Sequence, residues 1–197
     1  MHLFVGNRIK EFHGGVVDLP RYYLGCVYPD CVNAFGFAPK EVRYPAHLRV
    51  MDIDEWVANC RSFYRENACV MDADFLLGYM VHCATDAMYD RHFNDIDRVE
   101  WARFDYLHAQ SAWWRDEVLL ALKQAASLAE NSANHCPSLL ATHNFGPDAE
   151  HIGAFLRKHT TEAFNPTTAP VEATDAIITE LAAIVWGIVK EWDLCTK

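Results

Sequence analysis

The stretch from Phe75 to Tyr89 is apolar except at His82, Thr85 and Asp86. On an α-helix these positions stand at i, i+3 and i+4 and share one face. A carboxylate buried without a partner is costly, so it either neutralises or finds a cation. His82 and Asp86 offer one nitrogen and one oxygen to a single metal ion, the spacing used by other helical ligand pairs. The same pair also suits an internal His–Asp hydrogen bond that orders a core.

Further donors accompany the pair. Asp30 ends the segment Leu24-Gly25-Cys26-Val27-Tyr28-Pro29-Asp30, and His47 stands in Tyr44-Pro45-Ala46-His47-Leu48. His2 opens the chain, and His92 follows ten residues after His82. Carried on separate elements around one buried helix, such residues suit a polynuclear metal site in a bundle core. Imidazole and carboxylate donors without thiolates fit zinc, and also manganese or iron. The seven cysteines are odd in number and contain no CxxC pair. They read as buried free thiols in a reducing compartment.

The elements that must position these donors are helical. A short helix is expected over His2–Phe12, broken by Gly14-Gly15 and Pro20, with a short apolar piece over Arg21–Val27. A loop runs from Asp30 to about His47. Asp52–Asn67 has helical spacing, with Trp56, Cys60, Phe63 and Tyr64 on one side. The central buried helix covers roughly Asp74–Tyr89, capped by Asp72 or Asp74. A long helix follows over about Asp97–Asn131, then a loop over Ser132–Asp148. Helices over about Pro147–Thr161 and Glu172–Trp192 close the chain, separated by the Pro/Thr-rich linker Asn165–Pro170. No segment shows sustained strand alternation. The expectation is an all-α, single-domain helical bundle of 197 residues with a polynuclear metal site around its central helix.

The order of motifs resembles the zinc-dependent phospholipase C family, related to the single-strand-specific zinc nucleases. Members have a His on a short first helix, then a hydrophobic-Leu-Gly-x-x-x-Pro-Asp segment. A His after a variable loop and a buried Leu-Gly-Tyr-x-x-His-x-x-x-Asp helix follow. Here these are His2, Leu24 to Asp30, His47, and Leu77-Gly78-Tyr79-Met80-Val81-His82-Cys83-Ala84-Thr85-Asp86. The similarity covers about residues 1–108, and 132–197 supplies additional helices outside it. It implies that Asp30 is a bridging ligand and the base beside the attacking water, and that His47, His82 and Asp86 hold the central ions. His2 and His92 resemble ligands of further ions, with His2 preferred over His13 because the apolar Leu3-Phe4-Val5 follows it. The family's last His/acid pair, four residues apart, has no equivalent; Asp105 and His108, three apart, are the nearest substitute. Two or three zinc ions are implied.

The resemblance implies hydrolysis of a phosphoester, with a small phosphorylated or phospholipid-like substrate. The alternative is a non-catalytic, metal-stabilised helical scaffold or binding protein. Two other helical enzyme types are disfavoured, since no His-Asp dipeptide and no paired Glu-x-x-His helices occur. A formal net charge of −10 with no Lys/Arg-rich run argues against nucleic-acid binding and against electrostatic docking on anionic lipid. The longest apolar runs, Phe75–Val81 and Leu181–Val189, are too short to span a bilayer. No signal-peptide pattern opens the sequence, which predicts a cytoplasmic protein.

Overall fold

The computed structural model describes residues 1–92, 112–131, 147–161 and 171–193. Among them every regular element is helical and no strand occurs. The helices are α1 (His2–His13), α2 (Leu19–Val27), α3 (Lys40–Ala46), α4 (Ile53–Asn67), α5 (Ala73–His92), α6 (Ala112–Asn131), α7 (Ala149–Thr161) and α8 (Val171–Asp193), with a 3-10 turn over Tyr28–Asn33.

Helix α5 is the hub, packed against α1, α2, α4, α8 and the 3-10 turn. It is buried from Phe75 through Thr85 without a break, and again at Ala87 and Met88. Such an all-round apolar helix is stable only when neighbours cover every side. Helix α4 meets it with Trp56, Cys60, Phe63 and Tyr64, the expected face, all buried. Helix α1 contributes Phe4, Val5 and Ile9 to the same core. Tyr22 Oη–H donates to the Gly6 carbonyl (2.7 Å) and Tyr23 Oη–H to Asn7 Oδ1 (2.7 Å), fastening α1 to α2.

The closest approach is between α2 and α5. A Cβ built on Gly25 would stand 2.2 Å from the Phe75 carbonyl oxygen, and one on Gly78 would stand 2.1 Å from that of Tyr22. Only a residue without a side chain permits that crossing.

Local signals explain the helix ends. Gly14, at φ 65, takes the left-handed position that ends α1. Asp52 and Asp72 accept from the backbone N–H groups of Glu55 (2.9 Å) and Phe75 (3.0 Å), so they cap α4 and α5. Asp74 is occupied elsewhere, accepting from Val17 and Asp18 N–H. Replacing Asp72 with alanine removes this cap and the pair with Arg21. A loss of about 1 kcal/mol is expected, read as a lower urea midpoint at unchanged slope.

Two expectations need correction. Pro20 does not break the chain, for it sits in the first turn of α2, where its missing N–H costs nothing. The segment between Asp30 and His47 is not one loop. Pro29 lies at the start of the 3-10 turn and Pro39, extended, precedes α3. Proline fixes φ near the helical value, so it starts short helices as readily as it interrupts long ones. The expected helix before residue 112, the loop within 132–146 and the linker before α8 lie outside the described residues.

Candidate metal centre

Five side chains expected from sequence meet in one cluster, delivered by four different elements. His2 comes from the first turn of α1, Asp30 from the 3-10 turn, and His47 from the C-cap of α3. His82 and Asp86 come from α5 itself. His2 Nε2 lies 2.8 Å from Asp86 Oδ1, and its Nδ1 lies 3.5 Å from Asp30 Oδ2. His47 Nε2 is 3.4 Å from Asp30 Oδ1 and 3.6 Å from Asp86 Oδ2. His82 Nε2 is 3.7 Å from Asp86 Oδ2. The His2 and His82 rings stack with centroids 3.7 Å apart. His2, His82 and Asp86 form one group of donor atoms within 4.8 Å of one another, and Asp30, His47 and His82 form a second.

Hydrogen bonds fix which nitrogen faces the cluster. His82 Nδ1 meets the Cys26 carbonyl at 2.7 Å, and His47 Nδ1 meets the Arg43 carbonyl at 2.7 Å. A carbonyl only accepts, so both Nδ1 atoms carry the proton. Each ring then presents Nε2 to the cluster, the orientation that backbone partners impose on metal-bound histidines. The His82 side chain is fully buried, and its Nε2 has no hydrogen-bond partner among the described residues. A lone pair buried in this way is costly unless something occupies it.

Charge organises the rest. Burial drives the pKa of His82 down to about 3, helped by the positive His2, so its ring is neutral. Burial also opposes charge on His2, but Asp86 and Asp30 outweigh it and raise its pKa to about 9. Burial works against ionising Asp86 and Asp30 as well. Attraction to His2 nevertheless pulls Asp86 down to about 2, and hydrogen bonds from His2 and His47 hold Asp30 well below the usual carboxylate range. Asp30 and Asp86 therefore stay ionised beside the neutral His82, an arrangement favourable for a cation.

Asp30 is the most exposed of the five donors, at 33%, whereas His82 is wholly covered. The donor set fits zinc, manganese or iron in kind: imidazole nitrogens and ionised carboxylates, with no thiol in either group.

The remaining sequence candidates are placed differently. His92 is exposed at the end of α5, a rise of about 9 Å beyond Asp86, and belongs to neither donor group. Asp105 and His108 lie outside the described residues. Thr85 shares the face of His82, but its hydroxyl donates to the Val81 carbonyl (2.6 Å) instead. Arg43, Arg49 and Arg91 have protein partners: the Ala38 carbonyl, Asp90 and Asp54 respectively. Tyr28 packs against Phe75 and Tyr79, while Phe35 and Phe37 stand exposed.

The carbonyls of Cys26 and Arg43 were not among the expected site groups. A backbone acceptor leaves no signature in residue type, so only the geometry reveals it.

No family model, curated protein or solved structure matches this chain. The resemblance to the zinc-dependent phospholipase C family therefore stands on motif order alone.

Proposed function

We propose that the chain is a metal-dependent hydrolase of phosphoesters, with His2, Asp30, His47, His82 and Asp86 holding zinc or a similar ion. One observation carries the reading. The buried Nε2 of His82, without a hydrogen-bond partner among the described residues, faces two ionised carboxylates and two further imidazoles.

Bound zinc would supply Lewis acidity and a water acidic enough to ionise near neutral pH. The protein's own groups do the remaining work. His82 and His47 present fixed Nε2 donors, since their Nδ1 protons are held by backbone carbonyls. Asp30, the most exposed donor, orients the attacking water and accepts its proton. The buried floor around His82 keeps bulk water off the covered side. The substrate is a small phosphorylated or phospholipid-like molecule. His82 is common to both donor groups and offers only Nε2, so it serves a single ion, and a second ion would draw on the other donors. The described cysteines, all free thiols, fit a reducing, cytoplasmic setting.

The test is chelator stripping, reconstitution with zinc, metal analysis, and assay on 4-nitrophenyl phosphate and bis(4-nitrophenyl) phosphate. At least one ion per chain and zinc-dependent turnover of one ester are expected. Asp30→Asn should lower turnover about 100-fold or more, the lower range for general acid–base groups, with the fold retained. Bound zinc without turnover of either ester would favour a metal-stabilised scaffold. Less than one ion per chain would remove the metal centre altogether.

A further inference from the structure

His47 reaches the cluster from the end of α3, a two-turn helix with Pro45 inside it. Such a helix does not hold its own end in place. The next residue, Leu48, has φ 54, a conformation that residues with side chains keep only when the surroundings enforce it.

Several contacts hold this stretch, and Arg49 makes more than one of them. Its backbone N–H donates to the Tyr44 carbonyl (2.8 Å), and its Nη2 donates to Asp90 Oδ2 (2.5 Å). Its guanidinium carbon lies 4.8 Å from the Trp56 ring centroid and 5.1 Å from that of Tyr44. Trp56 Nε1–H in turn donates to the His47 carbonyl (2.9 Å), and Tyr79 Oη–H donates to that of Ala46 (2.8 Å). Asp90 stands one turn after Asp86 on the same side of α5. Arg49 therefore ties the chain just past His47 to the helix that carries His82 and Asp86.

We infer that Arg49 is a positioning residue, clamping His47 Nε2 onto the metal centre by pairing with Asp90 while stacked on Trp56. The inference rests on the metal-centre reading above. Arginine suits the place because a planar guanidinium stacks and donates at once, whereas a lysine ammonium keeps the charge without the stacked plane.

Zinc affinity, measured by competition with a chromogenic chelator, tests it in the unmodified chain, Arg49→Met, His47→Ala and the double variant. Arg49→Met should bind zinc about 10- to 100-fold more weakly, the range for groups that orient a ligand. Arg49→Lys should recover part of that loss. The double variant should bind no more weakly than His47→Ala, since Arg49 acts only through His47. Unchanged affinity in Arg49→Met, or fully additive losses in the double variant, would overturn the clamp. If Arg49→Met does not fold, Asp90→Asn replaces it, with about tenfold weaker binding expected at that lower bound and unchanged binding overturning the clamp.

A zinc-free readout separates failure of the clamp from failure of the metal centre. The His47 Nδ1–H proton, held by the Arg43 carbonyl, should give a slowly exchanging NMR signal in the unmodified chain without zinc. Arg49→Met should abolish it. A signal equally sharp in both proteins would overturn the clamp whether or not zinc binds.

Discussion

Replacing Gly78 with alanine is expected to lower stability by about 2 kcal/mol. The added methyl would meet the Tyr22 carbonyl oxygen at 2.1 Å and the Cys26 nitrogen at 2.9 Å, both backbone atoms of α2. Neither can swing aside as a side-chain tip can. Overpacking of this kind costs about 3 kcal/mol at the upper end of its usual range. Alanine's better helix propensity returns only about 1 kcal/mol, so the clash decides the sign. The melting temperature should fall by about 4 °C or more for a chain of this length. Zinc binding should weaken too, because α2 must move and it carries the Cys26 carbonyl that orients His82. Gly25→Ala should behave alike, its methyl meeting the Phe75 carbonyl at 2.2 Å. Gly187→Ala is the control. Nothing lies within 4 Å of a Cβ there, so the propensity term alone should act and stability should hold or rise slightly. Equal effects at Gly78 and Gly187 in thermal unfolding would contradict the tight crossing.

The second large effect is the dependence of zinc binding on pH. Without a metal ion, His2 is protonated at neutral pH, with a pKa near 9. A dication entering the cluster must displace that proton. Asp86, near 2, and His82, near 3, already have the protonation state that binding requires. His2 therefore contributes one released proton per binding event between those limits. Zinc affinity should rise about tenfold per pH unit from this residue up to pH 9 and then level off.

The metal-free protein should move in the opposite sense. A histidine whose folded pKa lies above the unfolded value of 6.5 stabilises fully below 6.5, and that stabilisation is lost as pH rises through 9. The zinc-dependent rise in melting temperature should therefore grow from pH 6 to pH 9. At a free zinc concentration 100 times Kd the stabilisation is about 2.7 kcal/mol, or about 5–10 °C. Calorimetry in buffers of different ionisation enthalpy counts the protons. A His2→Gln variant should release one fewer, and equal release in both would contradict the role given to His2.

The clustered residues were legible in the sequence because polar residues on an apolar helix have few inexpensive explanations. His82 and Asp86 interrupt the most buried of the described helices, and Asp30 and His47 each sit close to a proline that pins a short element. Helix α4 was readable for a related reason, since its apolar residues recur at helical spacing and its cap is an aspartate.

Other features depend on pairs of elements and left no local trace. The glycines of Gly25 and Gly78 reveal their purpose only when α2 and α5 are seen to cross. Arg49 reads as a surface cation until Asp90 and Trp56 are found beside it. Helix α3 escaped notice because Pro39 and Pro45 flank or interrupt a segment too short for periodicity to register.

The most direct measurement is an anomalous difference map at the zinc edge from crystals of zinc-loaded protein. A peak about 2.0–2.1 Å from His82 Nε2, bonded also to Asp86 or Asp30, is the expected result. A map with no peak there, and His82 Nε2 hydrogen-bonded to water or protein instead, would contradict the metal centre.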